Sequence, residues 1–225
     1  MNQGIYRIAV DGPSGAGKST IAKAIAKELN IEYIDTGAMY RAIGYKVAKH
    51  VGSDGEELER FLGSDDLVEF LKDTDIDFVK GHIFLDGEDV ESSIRTPEMS
   101  MMASKCSAIP AVREKLVDIQ RNMGTRKSVI MDGRDIGTNV LKDAEYKIYL
   151  TASPEERANR RFKELQEKGD PQPYEEVLRD IKQRDHNDMT RKLNPLRKAD
   201  DAVEVDSTGM GKEEVIQTIL KMIHR

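Results

Sequence analysis

The sequence predicts an α/β fold built on a parallel sheet, and three observations carry that expectation. An apolar, β-prone segment, Tyr6-Arg7-Ile8-Ala9-Val10, leads into Gly12-Pro13-Ser14-Gly15-Ala16-Gly17-Lys18-Ser19. Ile21, Ala22, Ile25, Ala26 and Leu29 follow at helical spacing, so strand, glycine loop and helix stand in immediate succession. Beyond them strand-like and helix-like segments alternate, the pattern of parallel strands joined by crossover helices. One stretch breaks the alternation: Ile76–Val79, a turn at Lys80-Gly81-His82, and residues 83–85 read as an antiparallel hairpin.

Taken in order, the candidate core strands are residues 6–10, 31–34, 128–131, 146–150 and 202–205, which makes a five-stranded sheet. Residues 38–51 carry Met39, Ile43 and Val47 on one helical face. Asp86-Gly87 is a second turn signal after the hairpin, followed by a short segment at Val90. Pro110 opens a helix, where its missing N–H costs little, and Val112, Leu116, Ile119 and Met123 form the apolar face. Ser153-Pro154-Glu155-Glu156 reads as a cap and first turn. Residues 212–224, with Val215, Ile216, Ile219, Leu220 and Ile223, close the domain. Gly169-Asp170-Pro171-Gln172-Pro173 separates two charged helices as a hinge or lid tip.

A chain of 225 residues fits one large domain with insertions. Its single cysteine, Cys106, excludes an internal disulfide and a cysteine metal cluster and fits a reducing cytoplasm. No apolar signal segment precedes the first strand, and no run of about 18 apolar residues occurs. The expectation is a cytoplasmic protein without membrane attachment. The net charge of −6 is uneven. Residues 54–91 alone carry a net −11, leaving the remainder basic at +5. The acidic stretch reads as a solvated face. The arginines elsewhere are dispersed and lack an aromatic-rich strand pattern, so no nucleic-acid polymer is expected as a partner. The absence of a coiled-coil or repeat signature favours a monomer.

The glycine segment fits G-x-x-x-x-G-K-[ST], a phosphate-binding P-loop. In such a loop backbone N–H groups cradle phosphate oxygens, Lys18 reaches the β- and γ-phosphates, and Ser19 can ligate Mg²⁺. An ordinary glycine-rich strand–helix turn is the bland alternative, which the flanking strand and helix argue against. The loop alone says nucleoside triphosphate. Switch GTPases, motor ATPases and small-molecule kinases all use it, so other residues must choose.

Three further groups do. Asp35-Thr36-Gly37-Ala38-Met39-Tyr40-Arg41 follows the second strand at the edge where ligands bind in open α/β sheets. Gly37, Tyr40 and Arg41 share a helix face, and the Thr36, Tyr40 and Arg41 groups suit a second phosphate; a helix cap with a surface arginine is the alternative. Residues 129–135 form an apolar strand that ends in acid, with Asp132 where P-loop folds place an acid near Mg²⁺. Arg134 and Asp135 follow it toward the cleft, unless they form a purely structural ion-pair cluster. Arg157, Arg160 and Arg161 share a helix face, and Arg184, Arg191 and Arg197 follow the Pro-rich turn. Arginine forks bind phosphate bidentately, so an arginine-rich lid is favoured over a merely solvated hairpin. His50, His82, His186 and His224 show no metal-ligand spacing. No nucleophile–base triad is apparent, and phosphoryl transfer needs none, because positioning and charge stabilisation carry it.

The ordered set Asp11 through Ser19, Asp35 through Arg41, Gly87-Glu88-Asp89-Val90 with Ile94-Arg95-Thr96, Asp132 through Thr138, and Arg184-Asp185 with Asp188 and Arg191 resembles bacterial cytidylate kinases over essentially the whole chain. The resemblance implies a P-loop nucleoside monophosphate kinase fold: a single domain over residues 1–225, an inserted antiparallel β-sheet lobe at about 63–105, and a short helical lid at about 157–185. It implies transfer of the ATP γ-phosphate to CMP or dCMP with Mg²⁺. ATP would be held by Gly12, Pro13, Ser14, Gly15, Ala16, Gly17, Lys18, Ser19 and Thr20, with Arg157 and Arg161 from the lid. Ser104, Arg113 and Asp135 would contact cytosine, and Arg184 and Asp188 the sugar. Tyr40, Arg41, Arg134 and Arg191 would surround the acceptor phosphate, with Thr36 nearby. Lys18, Arg134, Arg161 and Arg191 would carry catalysis, and Ser19 and Asp132 the metal. Cytosine offers an N4 amino donor that a carboxylate accepts, whereas uracil presents an acceptor there. A P-loop kinase for another small acceptor gives no reason for Asp135 with Arg113. A GTPase switch would need an Asn-Lys-x-Asp element, which the chain lacks.

Overall fold

The computed structural model describes residues 5–79, 81–170 and 172–223. Lys80 of the expected hairpin turn, Pro171 of the expected lid tip and His224 lie outside the described residues. The chain divides into two compact units. The first runs to Tyr33 and resumes at Arg126; the second is residues 34–125.

The first unit is built around β1 (Arg7–Asp11), α1 (Lys18–Leu29) and the start of β2 (Glu32–Asp35). The sheet is completed by β6 (Val129–Gly133), β7 (Tyr146–Thr151) and β8 (Val203–Asp206), in the order β2-β6-β1-β7-β8. Strand β1 is central and pairs in parallel with β6 and β7, and β7 pairs in parallel with β8. Four of these strands begin one residue later than their sequence-predicted starts; four end one residue later, and β6 ends two residues later. Asp11, Asp35, Asp132 with Gly133, Thr151 and Asp206 extend the strands past the apolar run, because ladder hydrogen bonds are backbone bonds and do not stop where hydrophobicity does. Helices α1 and α9 (Lys212–Ile223) pack on the sheet through Ile21, Ile25, Val215 and Ile219 against Ile8, Val10, Ile130, Ile148 and Leu150. Between β6 and β7 lies a π-helical turn, Ile136–Val140, which sequence periodicity did not signal. The charged helices α7 (Pro154–Glu167) and α8 (Tyr174–Thr190) form a hairpin with a small core of Ala158, Leu165, Val177 and Ile181. Ser153 caps α7, its hydroxyl accepting from the Glu156 N–H at 3.2 Å, as the sequence predicts.

The second unit opens with α2 (Thr36–Val51), then two short helices, α3 (Gly55–Leu62) and α4 (Asp65–Lys72). These two helices are absent from the sequence reading. Their acids hide a usable pattern: Leu58, Phe61 and Leu62, and Leu67 and Leu71, are buried at helical spacing, while Glu56, Glu57, Asp65 and Asp66 sit in first turns, where negative charge suits the helix dipole. A three-stranded antiparallel sheet follows: β3 (Ile76–Val79), β4 (His82–Leu85) and β5 (Glu88–Asp89). Asp86 and Gly87, at φ 51° and 84°, make the β4–β5 turn as their dipeptide predicts. The strand covers Glu88–Asp89, one residue before the expected segment at Val90. Helices α5 (Pro97–Ser107) and α6 (Pro110–Arg126) complete the unit.

Helix α2 packs closely on α5 at Gly44, where an added Cβ would stand 2.7 Å from the Met102 Cβ. Gly44→Ala gains helix propensity, but it forces two packed helices apart. Overpacking of this kind costs about 1–3 kcal/mol. We expect a net fall in melting temperature of a few degrees, at about 2–4 °C per kcal/mol for a chain of this size, read by thermal unfolding. An unchanged or raised midpoint would show that the contact relaxes freely.

Candidate active site

In the first unit the glycine loop leaves the central strand β1 and enters α1. Gly12, at φ 152°, passes so near β7 that a Cβ there would lie 1.9 Å from the Leu150 carbonyl oxygen. Gly17 caps α1 in the left-handed conformation, at φ 88°. The loop's helix-entry N–H groups therefore form the start of a 12-residue helix, a ready anion site. Lys18 is buried and its Nζ donates to the Pro13 carbonyl at 2.8 Å. Burial, with Arg134 adding to the effect, pulls its pKa down to about 7 against Asp132, Asp188 and Asp11. Ser19 Oγ donates to Asp132 Oδ2 at 2.9 Å, and the Tyr33 hydroxyl donates to Asp132 Oδ1 at 2.7 Å. A hydroxyl and a carboxylate set side by side are hard oxygen donors of the kind Mg²⁺ takes when phosphates supply the remaining ligands.

Beyond β6, Arg134 Nε donates to Asp188 Oδ2 at 2.6 Å. Asp135 Oδ1 accepts from Arg191 Nη2 at 2.9 Å, and its Oδ2 accepts from Asn139 Nδ2 at 3.1 Å. Two opposite-sense ion pairs thus tie the end of β6 to the end of α8 and its following turn. Burying Asp135 is tolerable because both carboxylate oxygens are paired. Asp11, the last residue of β1, accepts from the N–H groups of Ile136 and Gly137, each at 2.7 Å.

The lid arginines do not act as one face. Arg157 is 3% exposed. Its guanidinium donates to the Ala152 and Ser14 carbonyls at 2.9 and 3.0 Å and grips both carboxylate oxygens of Asp185 at 2.9 and 2.6 Å. Arg160 reaches the Ser207 carbonyl at 2.8 Å and Glu156. Arg161 is exposed and paired with Glu164 at 3.2 Å. Arg184 is exposed on α8, and Thr20 is exposed on α1, lining a groove with Lys23, Lys27 and Lys212 of α9.

In the second unit Asp35 organises its own cluster. Its carboxylate accepts from the Ala38 N–H at 2.8 Å, capping α2, and from Arg41 and Arg95 at 3.2 and 2.9 Å. Burial works to raise its pKa, but the two arginines hold it below the usual carboxylate range. Among the described residues, Arg41 Nε is buried without a hydrogen-bond partner. Arg41 is half-buried and held in an ion pair with Asp35. Arg113, 3% exposed, lies 5.8 Å from the Tyr40 ring centroid and donates to the Ser107 carbonyl at 3.4 Å. Thr36 is buried at the start of α2, and Ser104 is exposed on α5.

Sequence reasoning missed several of the partners that the structure sets beside the candidate residues. It quoted Arg95 and Asp185 within motifs without giving them roles, and it did not single out Tyr33 as a functional residue. Each is defined by an interaction across 28 to 99 residues of chain. Only the position of Asp11, directly before the glycine loop, was a local signal.

A P-loop at the exit of the central strand of a parallel sheet, with an acid beside its serine and arginines gathered beyond it, defines a P-loop nucleotide kinase. Comparison with known proteins narrows this. The family model described as cytidylate kinase matches residues 8–225. A cytidylate kinase of Caldicellulosiruptor saccharolyticus is 55% identical over 222 residues, covering 97% of this chain and 95% of its own. One of Clostridioides difficile is 49% identical, covering 96% and 97%. A structure of an uncharacterized protein from Eubacterium ventriosum shares the fold at TM-score 0.55 and 13% identity, covering 97% and 98%. The chain belongs to the cytidylate kinase family.

Proposed function

We propose that this protein transfers the γ-phosphate of ATP to CMP or dCMP, giving ADP and CDP or dCDP. The observation that carries the reading is the buried carboxylate of Asp135, held by Arg191 and Asn139 in the same unit as the P-loop. The P-loop backbone with Lys18 cradles the donor phosphates. Ser19 and Asp132 hold Mg²⁺, which when bound with ATP neutralises phosphate charge. Asp135 accepts from the cytosine amino group, and Arg113 and Ser104 serve the same base. Arg184 and Asp188 take the sugar. Tyr40, Arg41, Arg134 and Arg191, with Thr36, receive the acceptor phosphate; the unpartnered Nε of Arg41 supports this. The segment 63–105 is the acceptor-side insertion and 157–185 the lid.

The partners are free nucleotides rather than a nucleic-acid polymer, and the chain works as a cytoplasmic monomer. Among the described residues no helix is long and apolar enough to cross a membrane. A coupled assay with CMP, dCMP, UMP and AMP tests the reading. CMP and dCMP should be preferred; equal use of all four, or a preference for AMP, would overturn it.

Arg161 carries a separate expectation. Its only described ion pair is with Glu164, and both are largely exposed, so its guanidinium is available to donor phosphates at little cost. Arg161→Ala should lower kcat while the CMP dissociation constant stays within about twofold. A large loss of CMP affinity with kcat intact would move Arg161 to the acceptor side.

A further inference from the structure

Asp11 stands between the two halves of the machinery. It ends β1 in register with Gly133 of β6, and the next residue is Gly12 of the glycine loop. Its two carboxylate oxygens accept from consecutive backbone donors, Ile136 and Gly137, at 2.7 Å each. Those donors open the π-helical turn directly after Asp135, and the same turn supplies Asn139 to the Asp135 carboxylate. The approach is tight: a Cβ on Gly137 would lie 3.3 Å from Asp11 Oδ2 and 3.3 Å from Lys147 Cδ. We infer that Asp11 is a specificity-positioning residue, whose carboxylate pins the turn behind Asp135 to the root of the P-loop and so aims Asp135 at the acceptor base. The inference rests on the proposed CMP reading.

Burying this carboxyl is costly. Burial is the largest influence on the Asp11 carboxyl and pushes it up to about 6 from its ordinary 3.8, against the two N–H groups and Lys18, with Asp135 adding to the rise. Tyr149 feels the Asp11 charge, and Lys147 packs beside Gly137. A carboxyl raised on folding contributes stability that is complete below pH 3.8 and is lost as pH rises through about 6. At neutral pH the ionised group is therefore a net cost to folding. A neutral isostere relieves that cost. It also surrenders one acceptor, since an asparagine offers one oxygen and turns an NH₂ toward the second N–H.

The test compares wild type with Asp11→Asn, its intact mass checked for deamidation, and with Gly137→Ala, which crowds the same contact from the other side. Calorimetry reads CMP, UMP and a nonhydrolysable ATP analogue separately, kinetics give the CMP-over-UMP ratio of kcat/KM, and a melting curve is run alongside. For Asp11→Asn we expect CMP affinity and the ratio each to fall about tenfold, the low end for a charge-assisted hydrogen bond. The ATP analogue should stay within about threefold, and the melting temperature should not drop. Gly137→Ala should show the same split between CMP and the ATP analogue. An unchanged ratio in both folded variants overturns the inference, as does equal weakening of CMP and the ATP analogue, which would make Asp11 a support of the P-loop alone. If wild type itself shows no preference for CMP, the substrate reading fails and the inference falls with it. If wild type prefers CMP and both variants keep that preference, the inference alone fails.

Discussion

Lys18→Ala is expected to lower CMP phosphorylation by at least about 10²–10³-fold, the range for loss of one preorganised charge-stabilising donor. The protein should nevertheless stay folded. Lys18 is buried, and among the described residues its ammonium donates to the Pro13 carbonyl at 2.8 Å. Its pKa is pulled down to about 7 from 10.5, first by burial. A depressed lysine contributes stability that is present above its unfolded value and lost as pH falls through the folded one. At pH 7 and below, the charged side chain is thus a burden on folding. The melting temperature of Lys18→Ala at neutral pH should therefore match or exceed that of wild type while turnover collapses. Both are read on one preparation, by ATP consumption dependent on CMP and by a thermal melt. Near-normal turnover in the folded variant would remove the P-loop lysine from the mechanism.

The second large effect is on choice of base. Asp135→Ala should reduce the CMP-over-UMP ratio of kcat/KM by about 10- to 150-fold. That range corresponds to the roughly 1.5–3 kcal/mol of a hydrogen bond to a charged group, at 1.4 kcal/mol per decade. UMP turnover should change less, because its ring presents an acceptor to a carboxylate that repels it. The structure adds a condition to this expectation. Asp135 also holds Arg191, which keeps its bonds to the Asn194 carbonyl at 2.8 Å and shorter when Asp135 is gone. Arg191 is thereby retained near its place, so the loss reports mainly on the base. A ratio unchanged by the substitution would mean that Asp135 reads something other than the N4 amino group.

Much of this was legible in the linear chain. The five sheet strands, the P-loop with its flanking helix, the antiparallel hairpin, the cap at Ser153 and the helix opened by Pro110 are short-range patterns, and short-range stereochemistry dictates them: glycine where φ is positive, an apolar run where both sheet faces are covered. Helices α3 and α4 escaped because each is only eight residues long and acids make up three of the eight, although first-turn acids are what those helix ends favour.

By itself, then, the sequence determined the fold class and the phosphate-binding loop, since each is written in neighbours a few positions apart. Tertiary structure alone decided their partners. It buried Arg157 against Asp185 and Ser14, gave Arg160 to Ser207, and left Arg161 exposed, although the three stand within one helical turn or so of each other. It brought Tyr33 and Ser19 to the same carboxylate of Asp132, and Asp11 to the turn behind Asp135. The physical reason is range. Backbone conformation is governed mainly by local sterics and patterning, whereas a buried charge takes whatever donor or acceptor the packed fold sets beside it, and the distance along the chain to that partner carries no sequence signal.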